Sequence, residues 1–293
     1  CITGFHDFKR GRRLESIRFY DRGLSIYRLL SAENPQCLYR YAAESGTIGF
    51  LMSATNEYQP RSAELLRQAV AIWKRLEQEQ PGKYRVEYAT ACDNLGYQLS
   101  LSHDVATHRE AEAVLREALA IRQQLYQQDP GRFRRDYAWT ADNLGKVLTR
   151  DSGSFAEAEE LLRTALQLRE EMNRESGGKN ISEVAWTCHN LGQLLAKKPE
   201  YAAEAEQCYR TSIRLRQKLE QLSPGTHAAD TSWVMFWLAE LLSHDPARHA
   251  ETGELYCAAL EIQQKVEQEH PGMFVLNIDR IRERYESFRN GIQ

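Results

Sequence analysis

Residues 133–150, FRRDYAWTADNLGKVLTR, decide the fold, because their pattern returns at residues 180–197 as NISEVAWTCHNLGQLLAK. Both segments carry Ala-Trp and, four residues after the Trp, Asn-Leu-Gly. In the first segment, apolar or small residues recur at the spacing of a helix, at Tyr137, Ala141, Leu144 and Leu148. The two segments are therefore predicted to be equivalent helices of a repeated structural unit.

Two further markers have the same period. Turn signals separated by 46 to 49 residues occur at Asn34-Pro35, Pro81-Gly82, Pro130-Gly131, Gly177-Gly178, Pro224-Gly225 and Pro271-Gly272. Ten to fifteen residues past most of them stands a small residue, at Gly49, Gly96, Gly145, Gly192 and Ala239. A proline after a helix lacks an amide donor and clashes with the preceding turn, so each turn is expected to end one helix and reverse the chain.

The predicted fold class is all-α, a right-handed superhelical solenoid of antiparallel helical hairpins that covers residues 1–293 as a single repeat array. A lone helix is expected at 13–33 and a terminal helix at 273–290. Between them, over 38–269, five hairpins are expected at 38–55/60–79, 85–102/108–128, 133–150/155–175, 180–197/200–221 and 227–243/248–269.

Glycines inside the predicted helices indicate close approaches. Glycine costs about 1 kcal/mol relative to alanine in a helix, so a compensating contact is expected at Gly96, Gly145 and Gly192. Small residues of the second helices are expected to provide matching surfaces: Ala111, Ala118, Ala158, Ala165, Ala205 and Ser212.

Composition and charge favour a soluble chain with protein partners. Of the 293 residues, 42% are hydrophobic and 27% charged, the net charge is −3, and no segment approaches the ~18 apolar residues of a membrane span. Interspersed charges do not steer a chain to nucleic acid or to an anionic membrane. The basic cluster at residues 9–13 is interpreted as part of the surface of the first helix. No nucleic-acid or membrane partner is therefore expected.

The six cysteines lie far apart and form no CxxC pair. They are interpreted as reduced core residues, which predicts no disulfide and a cytoplasmic location. A leading Cys1 leaves open the alternative of a chain that is lipid-anchored through that residue.

No pattern typical of an enzyme is found: neither a phosphate-cradling glycine-rich loop, nor His-Glu-x-x-His, nor a nucleophile elbow. The nearest metal pattern is His103-Asp104 with His108, echoed by His244-Asp245 with His249. Both fall in hairpin turns, where Asp and His readily cap helices. No enzymatic activity, cofactor or metal is therefore expected.

The segments Asn-Leu-Gly followed by Ala-x3-Leu-x2-Ala and then Pro resemble the tetratricopeptide repeat (TPR) pattern. Units of about 47 residues resemble the long repeats of kinesin light chains and of many bacterial TPR proteins. The resemblance covers nearly the whole chain, with departures at Thr47-Ile48-Gly49 and Trp237-Leu238-Ala239. It implies a concave groove, lined by the first helix of each hairpin, that holds a protein or peptide. The Lys/Asn combination of TPR clamps for chaperone tails is not reproduced.

Two columns of residues recur on the predicted groove face. Asn94, Asn143 and Asn190 stand two residues before each glycine, and an amide side chain both donates and accepts hydrogen bonds. In repeats like those of kinesin light chains the corresponding Asn residues contact an extended peptide, so the resemblance implies the same role here. The alternative is that each Asn bonds the neighbouring repeat.

The second column consists of Trp139, Trp186 and Trp233, six residues before the small residue. These rings are interpreted either as floors of apolar pockets for a ligand or as packing between adjacent first helices. Asp142 and His189 add mixed charge along the same face. Lys146, Arg150 and Lys197 cluster around the third and fourth units and would favour an acidic or carboxylate-bearing peptide.

The leading hypothesis is a non-enzymatic scaffold that holds an extended protein or peptide segment in its concave groove. Two alternatives remain open. One is a self-assembling scaffold, a homo-oligomer formed through exposed flanks of the first and last helices. The other is a peptide-signal receptor module of a larger protein.

Overall fold

The computed structural model describes residues 22–31, 34–53, 59–102, 104–269 and 275–292. Eleven helices have both ends within these residues: α1 Pro35–Ser53, α2 Gln59–Glu79, α3 Arg85–Ser100, α4 Val105–Gln128, α5 Pro130–Leu148, α6 Phe155–Glu175, α7 Ile181–Leu195, α8 Ala202–Leu222, α9 Ala228–Leu242, α10 His249–Glu269 and α11 Val275–Ile292. Short 3₁₀ helices at Ser152–Ser154, Pro199–Tyr201 and Pro246–Arg248 precede α6, α8 and α10. The described residues contain no β-strand.

The predicted all-α fold class is confirmed, since within each unit helices adjacent in sequence pack on one another, as α1 does on α2 and α7 on α8. The second predicted hairpin, 85–102/108–128, corresponds to α3 and α4 within a few residues at each end. Of the predicted helix 13–33, residues 22–30 are helical, and the rest lies largely outside the described residues.

Two of the Pro-Gly turns are stabilised in the same way by a glutamate of the preceding helix. Gly82 and Gly225 have positive φ values of 87° and 83°, a left-handed conformation that glycine adopts without steric cost. The Glu77 carboxylate accepts hydrogen bonds from the amides of Gly82 and Tyr84, at 2.7 and 2.9 Å. Glu220 accepts the equivalent bonds from residues 225 and 227.

The Pro130-Gly131 pair is different, because it begins α5 instead of forming the turn that the sequence predicts. Proline is well suited to the first helical turn, where its missing amide has no intrahelical partner. The Asp129 carboxylate accepts a hydrogen bond from the Arg132 amide at 3.1 Å and caps this helix start.

The chain divides into two compact units, Cys1–Leu148 and Thr149–Gln293. Trp73, Tyr88 and Cys92 lie in the core of the first unit. The second unit has two aromatic-rich clusters, one with Tyr209, Val234 and Leu238 and one with Phe236, Tyr256 and Ile281. A single array over 1–293 and its right-handed superhelix stay predictions.

Close approach is confirmed at Gly96 and Gly192, but the partner is larger than expected, and the contact predicted at Gly145 stays a prediction. An added Cβ at Gly96 would lie 2.3 Å from Leu115 Cγ, and one at Gly49 would lie 2.8 Å from Leu66 Cγ. At Gly192 the nearest atom is Tyr209 Cε1, at 2.8 Å. The glycines therefore make room for a branched or aromatic side chain of the second helix.

A column of buried arginines joins each second helix to the next first helix. Arg122, Arg169 and Arg216 are 47 residues apart and only 2%, 2% and 5% exposed. Each reaches a residue fourteen positions further on: Arg122 donates to Asp136 Oδ2 at 3.2 Å, Arg169 to the carbonyl of residue 183 at 3.2 Å, and Arg216 to Asp230 Oδ2 at 2.8 Å. These bonds set the helices of successive hairpins against each other inside each unit.

Candidate functional site

The three predicted Asn residues lie on α3, α5 and α7, but they differ in accessibility. Asn94 is half-buried, whereas Asn143 and Asn190 are only 1% and 2% exposed. Neither amide atom of Asn143 has a hydrogen-bond partner among the described residues. An unpaired buried amide costs free energy, which makes Asn143 an unusual residue for the interior of a helix pair. Binding of a peptide backbone by these residues stays a prediction.

The three predicted Trp residues have different surroundings. Trp139 and Trp186 are half-buried, and the Arg216 guanidinium lies 6.0 Å from the ring centre of Trp186. Trp233 stacks on Phe236 at 5.0 Å, and the guanidinium of Arg280 from α11 lies 5.4 Å from its ring. Trp233 therefore packs against its own helix and α11, and the role of the three Trp residues in binding stays a prediction.

In the first unit, three aromatic rings from successive first helices form a continuous surface. The ring centres of Phe50 and Tyr97 are 5.9 Å apart, and those of Tyr97 and Trp139 are also 5.9 Å apart. All three side chains are partly exposed, and Lys146 Nζ lies 5.7 Å from the Tyr97 ring centre. Phe50, Tyr97 and Trp139 are called the aromatic row below. Trp139 and Lys146 were predicted from the sequence, whereas Phe50 and Tyr97 were not. Both directly follow the glycine of their helix, 47 residues apart, but the later hairpins have Lys146 and Gln193 at that position.

Two of the predicted charged residues are buried. Asp142 is 0% exposed and His189 is 7% exposed, so neither presents its polar group on the surface. The carboxylate of Asp93, the repeat equivalent of Asp142, accepts hydrogen bonds from Arg122 at 3.2 Å and from the Thr140 hydroxyl at 2.6 Å. Burial raises the pKa of Asp93 to about 6, against the opposing effect of Arg122. These acids and His189 are parts of the interior in this structure.

The second unit contains a cavity of about 350 Å³ at the C-terminal ends of α7 and α9, called the α7–α9 cavity below. Its lining residues are Thr149, Arg150, Gln193, Ala196, Lys197, Tyr209, Trp237, Glu240, Leu241 and His244. Arg150 and Lys197, both predicted as site residues, have exposed side chains there, and Lys197 donates a hydrogen bond to the Thr149 carbonyl. Tyr209 and Trp237 were not predicted, because the equivalent positions of most other hairpins hold leucine and asparagine, respectively.

The two His/Asp turns cap helices, as expected. The Asp104 carboxylate accepts from the Thr107 amide at 2.7 Å, and that of Asp245 accepts from the Ala247 amide at 3.0 Å. His108 Nε2 lies 2.9 Å from the Val147 carbonyl oxygen, and His103 lies outside the described residues. In the described part of the chain, no three His, Cys, Asp or Glu side chains converge as metal ligands would.

Cys37, Cys92, Cys188, Cys208 and Cys257 are free thiols in the structure. Burial raises the pKa of Cys92 to about 12 and that of Cys208 to about 11, which keeps both thiols protonated.

None of the helices in the described residues has both the length and the apolar character needed to cross a membrane.

Residues 138–173, which contain most of α5 and α6, match the family model for the tetratricopeptide repeat. This stretch is similar to a tetratricopeptide repeat. The resemblance to the TPR family is thereby confirmed, and TPR repeats generally mediate protein–protein interaction and scaffolding. A comparison with curated protein sequences gives no significant match.

Two crystal structures share the fold along most of this chain. BtubC (BKLC) from P. vanneervenii is 16% identical with a TM-score of 0.55, over 96% of this chain and 92% of that one. A putative kinesin light chain from Podosopora anserina with nearly identical TPR-like repeats is 17% identical with a TM-score of 0.52, over 77% of this chain and 96% of that one. At these identities the likeness is one of fold.

Proposed function

We propose that the chain is a non-enzymatic TPR scaffold that binds an extended protein segment along its first helices. The observation that carries the proposal is the aromatic row, in which three partly exposed rings from α1, α3 and α5 are in contact. Large aromatic side chains provide much contact area at a small loss of side-chain entropy, and they dominate the energetics of protein interfaces. A segment with apolar side chains fits such a surface.

A positive charge next to the aromatic row limits the range of ligand sequences that fit this surface. Lys146 Nζ lies 5.7 Å from the Tyr97 ring centre, so a positive charge borders the apolar surface. Complementary charge improves specificity and the rate of association more than affinity. An apolar residue flanked by an acidic one is the ligand sequence that this arrangement favours.

The Asn residues fit the same role, although two of them are buried. Asn94 is half-buried on α3, and Asn143 on α5 has two amide atoms without a partner in the described part of the chain. An extended backbone offers alternating N–H and C=O groups, which an amide side chain can bond in pairs. Asn190 and Trp186 on α7 hold the equivalent positions in the second unit.

The experiment selects ligands from a phage-displayed random peptide library with the full chain as bait. Enriched peptides are then measured by fluorescence anisotropy against the wild-type chain and the variants Tyr97→Ser and Trp139→Ala. At an interface hot spot each variant should lose about 2 kcal/mol or more of binding free energy, roughly thirtyfold in affinity. Tyr126→Ala is the matched control, because Tyr126 is a half-buried aromatic outside the row that stacks on Tyr137 at 5.1 Å.

Two results would contradict the proposal: affinities that are unchanged in both row variants, or peptides that the Trp139→Ala chain enriches as strongly as the wild type. Circular dichroism and melting curves of each variant separate a lost contact from a lost fold.

A second candidate, self-association, is favoured by one observation. Ile26, Leu29 and Leu30 lie on one face of the helical residues 22–30 and are 59%, 71% and 46% exposed. Contiguous exposed apolar residues mark interaction surfaces. Light scattering at increasing concentration should then show a dimer that Leu29→Glu dissociates, whereas a monomer at ~100 μM would exclude an association of useful strength.

A further inference from the structure

The α7–α9 cavity contains a phenol whose hydroxyl serves no packing purpose. Tyr209 packs its ring on Gly192, with Cε1 2.8 Å from the position of an added Cβ. In earlier hairpins a leucine packs on the equivalent glycine: Leu66 packs on Gly49, and Leu115 packs on Gly96. Packing on the glycine therefore requires a bulky side chain but no hydroxyl group.

The hydroxyl of Tyr209 lacks a partner although the residue is 0% exposed. The next hairpin also carries a tyrosine here, Tyr256, but its hydroxyl donates to the Glu240 carboxylate. Among the described residues, the Tyr209 hydroxyl has no such acceptor. A buried hydroxyl without a hydrogen bond is unfavourable, which indicates that a group from outside the chain completes this one.

A second residue of the cavity lining has a buried donor that lacks a partner among the described residues. Trp237 stands 47 residues after Asn190, where the repeat pattern places an amide, and its indole Nε1 has no hydrogen-bond partner in the described part of the chain. An indole N–H can only donate. The phenol of Tyr209 also stays a donor, since burial raises its pKa far above neutral pH. Tyr209 and Trp237 both line the cavity, and a ligand with hydrogen-bond acceptors could satisfy both donors.

The charges around the cavity favour an acceptor that is negative. Arg150 and Lys197 line it with exposed side chains. Among the described residues of its lining, the only carboxylate is that of Glu240, which is bonded to Arg284 at 2.9 Å and to Tyr256. The rest of the lining includes apolar groups, Ala196, Leu241 and the Trp237 ring. At about 350 Å³ the volume lies at the small end of ligand pockets.

We propose that the α7–α9 cavity binds a carboxylate carried on a compact apolar body, with Tyr209 and Trp237 donating to it and Arg150 and Lys197 balancing its charge. The ligand is either the C-terminal residue of a protein or a free small carboxylic acid. The site lies wholly in the second unit, so it does not depend on the aromatic row of the first.

The test uses the full chain with ¹⁵N-labelled tryptophan, and the probe is N-acetyl-leucine. The indole N–H resonance of Trp237, assigned through Trp237→Phe, should shift to saturation with the acid, whereas N-acetyl-leucinamide should shift it much less. Tyr209→Phe should weaken binding about tenfold, the usual effect of losing a hydrogen bond to a charged group. Its melting temperature should stay equal to that of the wild type or rise, because the variant removes only an unpaired hydroxyl. Weaker binding without lost stability is a result that a purely structural tyrosine cannot give.

Charge is tested with Lys197→Met and its neighbour Lys198→Met as control, since Lys198 does not line the cavity and lies 3.8 Å from the ring centre of Phe155. Lys197→Met should weaken binding of N-acetyl-leucine, and Lys198→Met should leave it unchanged. A glycine-serine peptide that ends in leucine then distinguishes the sources: tighter binding than N-acetyl-leucine indicates a protein terminus, and equal binding indicates a small acid. The proposal is overturned if the amide binds as well as the acid, or if Tyr209→Phe binds the acid as the wild type does. It is also overturned if ~10 mM probe leaves the Trp237 resonance in place, because the binding free energy would then be too small for a built site.

Discussion

Gly96→Ala should destabilise the first unit, although alanine is the better helix former. Gly96 lies within α3, and an added Cβ would lie 2.3, 2.7 and 2.9 Å from the Cγ and the two Cδ atoms of Leu115. Real Cβ atoms do not approach other heavy atoms so closely, so α3 or Leu115 has to move. Leu115 is 0% exposed, so it can move only by displacing its neighbours in the core.

The magnitude follows from two opposing effects. Overpacking a core costs about 1–3 kcal/mol, and three contacts below 3 Å place this substitution at the upper end. The gain in helix propensity is about 1 kcal/mol. A net loss of about 2 kcal/mol of unfolding free energy is therefore expected, measured by urea denaturation of the full chain with circular dichroism as the readout.

A double-mutant cycle isolates the cause. In a Leu115→Ala background the clash is absent, so adding Gly96→Ala should stabilise the chain by about 1 kcal/mol, which gives a coupling energy of about 3 kcal/mol. Gly46→Ala is the control in the same unit, because its Cβ would lie 3.9 Å from Ala69 Cβ, an ordinary contact. If Gly96→Ala proves neutral, or costs the same in both backgrounds, the close approach does not explain this glycine.

Three further predictions concern charge and thiols. Because burial raises the pKa of Asp93 to about 6, its protonation stabilises the folded state below pH ~3.8 and this contribution is lost as the pH rises through 6. Between pH 7 and pH 4 the wild type should gain about 2 kcal/mol relative to Asp93→Asn in urea titrations, and a pH-independent difference would contradict this. The ion pair between Arg163 and Glu204 is 43% and 38% exposed, so Arg163→Ala should cost less than ~1 kcal/mol, and less still in 0.5 M salt; a larger, salt-independent loss would refute the screening argument. Thiol titration under denaturing, non-reducing conditions should find all six cysteines free, and four or fewer would indicate a disulfide.

Helices and hairpins were predictable because their signals are local. A proline and glycine after an apolar stretch end a helix through the backbone itself, and the resulting bounds of α3 and α4 agree with the prediction within a few residues. The exposure of a side chain depends on helices that are far away in sequence. Asn143 and Asn190 sit on the predicted helices, yet neighbours cover them to 1% and 2% exposure, which the spacing of residues in one helix cannot indicate.

The buried arginines also show that burial cannot be predicted from the spacing of residues within one helix. Arg122, Arg169 and Arg216 recur every 47 residues, so their period was readable in the sequence. A charged residue in an amphipathic helix is usually on the solvated face, and a long side chain with five donors is buried only where acceptors meet it. Those acceptors come from the next first helix, so only the folded hairpins show why the arginines recur.

Equivalent positions in a repeat protein share a place in the helix but not an environment. Trp139 lies in a partly exposed row beside Tyr97, whereas Trp233 stacks on Phe236 beneath Arg280, so the recurrence of tryptophan alone does not mark a ligand site. A more informative signal is a residue that exceeds what its repeat position requires. Tyr209 has a hydroxyl where leucine is sufficient for packing, and that hydroxyl is buried without a hydrogen-bond partner in the part of the chain that the structure describes. Repeat packing gives no reason to retain an unpaired buried hydroxyl, so a position of this kind is where a ligand should be sought first.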